Sequence, residues 1–313
     1  MKNEPFFYNT ENLNSFKTAF IVGACRSGKT TLSTLLSSHK YVENSEEPWG
    51  LKIFTLLNYL NLLNTNLSKQ LFLSYSKEIF NENFFLRNVS FRKSDNSYIG
   101  NFKSSYEIKK RLTVQKDREF VETYIKKYKP LMIFNLTEVT PQAHQLLKFS
   151  KKSKLIYVIR GYNDVAINCY SKKWFSNQSL LDPKKTLPYF KFRYKNKIWF
   201  IPWWVKKNDF SYFVELSHHN RCLYYWIITN NMGYESLKKI NKYNYKIVRY
   251  EHFISKPEVV LNKLSKFLKI EKTNKTKTFL SQILKRQIGC KKFEFDITLV
   301  NKAMLILRKF DSL

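Results

Sequence analysis

The sequence predicts an α/β fold in which a mostly parallel central sheet carries helices on both faces, giving three layers. Four short apolar runs, separated by helical patterns, lead to this expectation. The runs are continuous rather than alternating, which is typical of strands covered on both sides. Because helices lie between them, the strands are expected to be joined by βαβ crossovers. The runs are 18–23, 131–136, 154–160 and 246–250, and the helical patterns are 30–38, 141–151, 164–174, 222–240 and 257–268.

The composition indicates a folded chain with a large core. Of its 313 residues, 43% are apolar and 17% are aromatic, which excludes an intrinsically disordered protein. With only 7 Gly and 8 Pro, collagen-like and linker-rich classes are excluded as well. No stretch has a linker composition that would divide the chain. We therefore expect a single domain over 1–313, with insertions at about 64–128 and 175–215.

The chain is strongly basic, with 55 Lys and Arg against 24 Asp and Glu and a formal net charge of +31. Such an excess fits an anionic ligand or surface. It also fits the amino-acid usage of an AT-rich genome, because only 11 of the basic residues are Arg and because Asn, Ile, Phe and Tyr are abundant. Charge alone therefore does not predict a nucleic-acid partner.

The four cysteines, at positions 25, 169, 222 and 290, form no CxxC pair and have no metal-ligand spacing. This usage is typical of a reduced compartment. The sequence also has no apolar run long enough for a signal peptide or a membrane-spanning helix. A cytoplasmic protein without a metal site is expected.

A phosphate-loop motif follows the first predicted strand. The residues GACRSGKT, which begin at Gly23, match the pattern GxxxxGK[ST] and lead into a predicted helix. Gly23 and Gly28 let successive backbone N–H groups point into one concavity at the N-terminus of that helix. Lys29 and Arg26 would add positive charge, and the Thr30 hydroxyl could donate to an anion or coordinate magnesium. The motif predicts a P-loop-type fold and an anionic nucleotide, without deciding which one.

The ends of the predicted strands bear on that choice. An ATPase or kinase normally has an apolar strand that ends in Asp and holds Mg²⁺. The four predicted strands end near Gly23, Asn135, Arg160 and Glu251, and only the last of these residues is acidic. The sequence therefore favours chemistry without a metal, and an ATP-dependent small-molecule kinase stays open as the alternative.

A second candidate anion site begins at Arg160, at the end of the third predicted strand. An Arg followed by a turn and a helix places a forked cation beside a helix N-terminus. At this point the sequence resembles the PAPS-dependent sulfotransferases of the bacterial and Golgi type. Their first loop reads RSGTT and their second motif reads RDPxDVxxS. The corresponding residues here are RSGKT at 26–30 and RGYNDVAIN at 160–168.

The resemblance implies that 26–30 hold the 5′-phosphosulfate of PAPS and that 160–168 hold its 3′-phosphate. Lys29 replaces the first Thr of the family loop, and Asn168 stands where the family usually has Ser, for which Lys172 could compensate. The residues implied in nucleotide binding are Arg26, Ser27, Gly28, Lys29, Thr30, Thr31, Arg160, Asn168, Lys172 and Tyr250.

Four other segments extend the resemblance or depart from it. The residues LLSSH, followed by Glu46 and Glu47, are similar to the LLxxHP segment of the family and the acidic residue after it. This implies that Glu47 is the catalytic base, with Glu46 as the near alternative. The residues VRYEHF look like the VxYEDL segment, which places Tyr250 near the adenine. The family often has a lysine near Asn135 that is missing here, and 285–289 is a weak candidate for the loop that closes over the nucleotide.

The resemblance implies an enzyme that moves the sulfuryl group of PAPS to a hydroxyl or amine without a metal, with a carbohydrate or glycan precursor as the expected acceptor. Arg26 and Lys29 would stabilise the sulfuryl oxygens, and Glu47 would take the acceptor proton. The aromatic and basic segment 188–213 would wall the acceptor site, although it could instead rest on a membrane surface. An RNA-binding module is a further alternative, but its usual aromatic signatures are missing, so no nucleic-acid partner is expected. The sequence leaves the oligomeric state open.

Overall fold

The computed structural model has a parallel five-stranded sheet with helices on both faces, so the predicted fold class is confirmed. The structure describes residues 16–95, 97–114, 118–150, 152–184, 188–283 and 293–313.

The strands of the structure are β1 (Lys17–Val22), β2 (Val42–Glu46), β3 (Leu131–Asn135), β4 (Lys154–Ile159), β5 (Tyr189–Tyr194), β6 (Lys197–Pro202) and β7 (Tyr245–Arg249). The helices of its first half are α1 (Lys29–Ser37), α2 (Trp49–Tyr59), α3 (Thr65–Phe84), α4 (Ser105–Thr113), α5 (Arg118–Tyr128) and α6 (Ala143–Phe149). The helices of its second half are α7 (Tyr162–Ser171), α8 (Asn177–Leu181), α9 (Phe210–Glu215), α10 (His218–Leu237), α11 (Tyr250–Ser255), α12 (Pro257–Leu268), α13 (Asn274–Ile283) and α14 (Ile297–Asp311).

The strand order of the main sheet is β2-β3-β1-β4-β7, and all its strand pairs are parallel. From the central β1 the chain runs outward to β2, returns to β3, and then crosses β1 to β4 and β7. The order therefore reverses between β1 and β4. In open parallel sheets this switch point forms a crevice at the carboxyl ends of the strands, where ligands bind. The two predicted anion motifs follow the two strands that flank it.

Both faces of β1 are buried, which explains its continuous apolar run. Successive side chains of a strand point to opposite faces. Ala19 and Ile21 pack with α1 and α12 on one face, whereas Phe20 and Val22 pack with α7 and α10 on the other. The helices that follow β1 and β4 thus lie on opposite sides of the sheet, as the reversal of strand order requires.

The structure corrects the predicted number of strands. β2 was not predicted, and Glu46 is its last residue. β2 escaped prediction because four of its five residues, VENSE, are polar. It is an edge strand of the sheet, yet all its residues except Glu46 are buried.

The two stretches that lack the strand and helix rhythm contain regular secondary structure among their described residues. The first contains α3, α4 and α5, and the second contains α8, the antiparallel β5–β6 hairpin and α9. Trp199, Trp203 and Trp204, in the segment considered for membrane contact, are 7%, 6% and 4% exposed. These three indole rings therefore face the interior. Within the described ranges, no helix combines the length and the apolar run that crossing a bilayer needs.

Candidate active site

The loop between β1 and α1 has a backbone suited to a phosphate group. Gly23, Arg26 and Gly28 have φ angles of +149°, +65° and +92°. A Cβ on Gly23 would lie 2.2 Å from the carbonyl oxygen of Val158, and one on Gly28 would lie 2.2 Å from the Tyr250 ring. Glycine is therefore required at both positions. α1 starts directly after Gly28, and among the described residues no side chain caps its N-terminus.

The side chains of this loop differ in their surroundings. Arg26 is exposed, whereas Ser27 is buried and its hydroxyl has no hydrogen-bond partner among the described residues. Lys29 is 4% exposed, and its Nζ donates to the carbonyl oxygen of Ala24 at 2.8 Å. Burial lowers the pKa of Lys29, although nearby Cys25 and carboxylates counteract that effect. Lys29 is thus held against the backbone of the loop, while the Ser27 hydroxyl could bond to a ligand.

The side chain of Glu46 lies at the end of β2, next to Thr30 at the start of α1. Its Oε1 accepts hydrogen bonds from the Thr30 hydroxyl and from Nδ2 of Asn135, the latter at 2.7 Å. Thr31, another predicted ligand residue, is buried in the first turn of α1. Burial raises the pKa of Glu46, and neighbouring Glu47 adds to the effect. Glu46 therefore links the first loop to the ends of β2 and β3.

Glu47 is placed differently from its neighbour. Its side chain is 47% exposed, and its backbone has a φ of +46°. Its N–H donates to the carbonyl oxygen of Asn135 at 2.9 Å, which fixes the backbone against the end of β3. Its carboxylate lies 3.9 Å from Nζ of Lys52 in the first turn of α2. Glu47 is thus accessible to an incoming molecule, whereas Glu46 is held by protein donors.

Arg160, directly after β4, lies against the first loop. Its NH1 is 3.4 Å from the carbonyl oxygen of Arg26, and its guanidinium lies 4.4 Å from the centre of the Tyr250 ring. Its Nε and NH2 donate to Asp164 at 3.2 and 2.9 Å. The N–H of Gly161 donates to the carboxylate of Glu251 in α11. The structure therefore brings Arg26, Gly28, Arg160 and Tyr250 together.

Two predicted phosphate-binding residues lie farther away. Asn168 donates from Nδ2 to the carbonyl oxygen of Asp164 at 2.7 Å, so its amide is bound within its own helix. Lys172 is exposed and caps the C-terminus of α7, at the opposite end from Arg160. Because ten helical residues span about 15 Å, the structure does not bring Lys172 to the guanidinium.

Two adjacent aromatic residues of α10 support both loops. The Tyr225 hydroxyl accepts the N–H of Cys25 at 2.8 Å, and Nε1 of Trp226 donates to the carbonyl oxygen of Arg160 at 2.9 Å. Both rings are buried, and burial raises the pKa of Tyr225 well above its ordinary value. Sequence reasoning missed this pair because aromatic residues in a helix indicate only core packing.

Sequence reasoning also missed Lys52 and Glu138. Nζ of Lys52 lies 3.6 Å from Glu138 and 3.9 Å from Glu47, and it donates to the Thr137 hydroxyl at 3.1 Å. Glu138 lines a cavity of about 300 Å³, together with aromatic residues that include Trp203, Trp204 and Tyr225. Lys52 therefore connects the exposed carboxylate of Glu47 with a carboxylate of the cavity wall. The only sequence signal for Glu138 is its position soon after the predicted strand end at Asn135, and Lys52 has no such signal because the strand before it, β2, was not predicted.

No group of three or more His, Cys, Asp and Glu side chains within the described part of the chain is arranged to hold a metal ion. The proposed closing segment, 285–289, lies outside the described residues.

The model of the sulfotransferase domain family matches residues 17–294. Among solved structures, the sulfotransferase domain from the Synechococcus PCC 7002 olefin synthase is 12% identical, with a TM-score of 0.44, and the match covers 93% of this chain and 94% of that chain. The sulfotransferase domain from the curacin biosynthetic pathway is 14% identical, with a TM-score of 0.49 and coverages of 95% and 98%. A sulfotransferase from Mycobacterium avium is 13% identical, with a TM-score of 0.46 and coverages of 96% and 77%. The comparison with curated proteins finds no match.

Proposed function

Because the chain belongs to the sulfotransferase domain family, we propose that it transfers the sulfuryl group of PAPS to a hydroxyl or amine acceptor. One observation carries the choice of donor: the Arg160 guanidinium lies 3.4 Å from the Arg26 carbonyl oxygen, and the Tyr250 ring contacts both loops. Two cationic sites so close together suit a single adenosine with phosphate groups at both ends. Two unrelated anions would not need binding sites this close to each other.

The residues of the first loop fit the 5′-phosphosulfate. The buried Ser27 hydroxyl has no protein partner within the described ranges, and the N-terminus of α1 has no side-chain cap there. A bound phosphate oxygen would satisfy both features. Arg160 would hold the 3′-phosphate, for which it must exchange part of its contact with Asp164. The Tyr250 ring would lie beside the adenosine.

When bound, PAPS supplies an activated sulfuryl group, whose bond to the 5′-phosphate oxygen breaks as the acceptor oxygen or nitrogen bonds to sulfur. Glu47 accepts the proton that the acceptor loses, because its carboxylate is exposed beside the loop. Arg26 and Lys29 stabilise the negative charge that develops on the departing phosphate. Glu46 orients the Thr30 hydroxyl through their hydrogen bond.

The family resemblance favours a carbohydrate acceptor. Sugar rings stack on indole faces, and Trp203 and Trp204 line the cavity that opens beside Glu138. This acceptor class is part of the proposal.

Titration calorimetry with adenosine 3′,5′-bisphosphate (PAP), and with ATP in the presence of Mg²⁺, tests the choice of donor. We expect PAP to bind without a metal and ATP to bind at least tenfold more weakly. Tighter binding of Mg²⁺–ATP, accompanied by ATP hydrolysis, would instead identify a kinase.

The variant Glu47→Gln tests the assignment of the base. It should retain PAP binding and lose most of the transfer activity, because the amide cannot take a proton. Glu235→Gln, which alters an exposed carboxylate paired with Lys238, is the matched control. Unchanged turnover in Glu47→Gln would remove the assignment.

A further inference from the structure

The cavity beside Glu138 has an outer end that is positively charged. Lys172, Lys173 and Lys184 line it and are exposed, and the single exposed acid among its lining residues is Asp182. Three cations and one anion leave a formal charge of +2 at this end. An anionic group would be attracted there from solvent, although salt would weaken the attraction.

The inner part of the cavity is aromatic. Trp203 and Trp204 are 6% and 4% exposed, and Tyr225 is 1% exposed. Rigid, flat side chains of this kind contact the face of a sugar ring or of an aromatic ring at a small entropic cost. The cavity volume of about 300 Å³ lies at the lower end of the range for small-molecule sites. The cavity is therefore sized for a compact ring compound.

The inner end of the cavity carries the opposite charge from its outer end. Glu138 has a left-handed backbone, with a φ of +64°, and its side chain is 15% exposed. Lys52, 3.6 Å away, pairs with this carboxylate and holds it in place. The Tyr225 hydroxyl, which accepts the N–H of Cys25, joins this end of the cavity to the first loop.

We propose that the acceptor is a compact ring compound with a hydroxyl or amine at one end and an anionic group at the other. In the binding complex its hydroxyl or amine donates a hydrogen bond to Glu138 next to the first loop, and it turns to Glu47, on the other side of Lys52, when it gives up its proton. Its ring contacts the tryptophans, and its anion lies near Lys173 and Lys184. That this molecule accepts the sulfuryl group rests on the proposed transfer. Its binding in the cavity does not depend on that proposal. Glu138 thereby becomes a specificity-determining residue, because it repels a molecule that enters with its anion first.

Three matched probes test this inference by titration calorimetry, with and without PAP. They are 3-(4-hydroxyphenyl)propanoate, which has both end groups, 4-propylphenol, which lacks the anion, and 3-phenylpropanoate, which lacks the hydroxyl. We expect the first probe to bind most tightly. In 1 M NaCl the affinity of the first probe should fall to that of 4-propylphenol, because exposed charges are screened at that ionic strength.

Two variants separate the ends of the cavity. The double variant Lys173→Gln, Lys184→Gln should weaken binding of the hydroxy acid roughly 3- to 10-fold and leave 4-propylphenol unchanged. The control Lys191→Gln, Lys197→Gln removes the same charge from exposed hairpin positions outside the cavity and should change neither probe. Glu138→Gln should weaken both phenols about 10-fold and spare 3-phenylpropanoate, because a hydrogen bond to a charged group becomes one to a neutral group.

The inference fails if no probe binds, if the three probes bind equally, or if the two double variants behave alike. The lysine variants alter only exposed side chains, so they decide the question even if Glu138→Gln does not fold. Binding of PAP without the expected probe order would overturn this inference alone. The expected probe order without any PAP binding would overturn the proposed donor and leave the cavity assignment standing.

Discussion

The buried carboxylate of Glu43 provides a quantitative test of how β2, the strand that leads to Glu46 and Glu47, is held in the sheet. Glu43 is 3% exposed. Arg111 of α4 donates to both of its oxygens, at 3.0 and 2.6 Å, and Nζ of Lys103 lies at 3.0 Å. Burial alone would raise its pKa, but Arg111 and Lys103 override burial and lower the pKa to about 2.

The pKa shift sets the size and the sign of the effect. The ordinary value is 4.5, and one pKa unit corresponds to about 1.36 kcal/mol, so ionised Glu43 stabilises the fold by roughly 3 kcal/mol at neutral pH. Because the folded pKa lies below the unfolded one, this contribution is present above pH 4.5 and is lost as the pH falls toward 2. Glu43→Gln removes the buried counter-ion of these two cations and leaves them only the more exposed carboxylate of Glu107, a cost of about 3–5 kcal/mol.

Urea unfolding of the wild type and of Glu43→Gln, between pH 7 and pH 3, measures this effect. We expect the difference in unfolding free energy to be largest at pH 7 and to narrow as the pH falls. The control Glu122→Gln removes an exposed partner of Lys77 and should change stability by less than about 1 kcal/mol. A Glu43→Gln protein as stable as the wild type at pH 7, or a difference independent of pH, would refute the reasoning.

Three further predictions concern the residues around the two loops. Tyr225→Phe leaves the buried Cys25 N–H without its acceptor and should lower the unfolding free energy by about 1–3 kcal/mol, measured by urea unfolding. Arg160→Ala should weaken PAP binding roughly 10- to 100-fold in calorimetry, and unchanged affinity would exclude it from the 3′-phosphate site. Glu46→Gln should raise the melting temperature at pH 8 and have little effect near pH 4, because burial raises the Glu46 pKa and the folded state loses stability as that carboxyl ionises. A stabilisation that does not depend on pH would contradict this cause.

Sequence reasoning predicted a feature correctly where the interacting residues are close in the chain and missed it where they are distant. The strand β1 and the glycine loop after it were predicted because apolar runs and left-handed turns are local properties of the chain. β2 was missed because the partners of Glu43 are distant in the chain: Lys103, just before α4, is 60 residues away and Arg111, in α4, is 68 residues away. A polar strand that is buried by distant cations has no local signature.

The candidate site shows the same limit. Its position at the ends of β1 and β4 was expected from the motifs, and the contact between Arg160 and the Arg26 carbonyl brings the two together. Glu46 and Glu47 are neighbours in the chain, so the sequence could not tell that one is held by Thr30 and the other is exposed.

By itself, the sequence determined the parallel α/β architecture and the positions of the two candidate anion-binding loops, because both depend on short patterns of apolar, glycine and basic residues. Tertiary structure alone decided the support of those loops by Tyr225 and Trp226, and the cavity that joins Glu138 to Lys52. These arrangements arise where helices and loops from distant parts of the chain pack together. Burial and hydrogen-bond geometry there depend on the whole fold rather than on neighbouring residues.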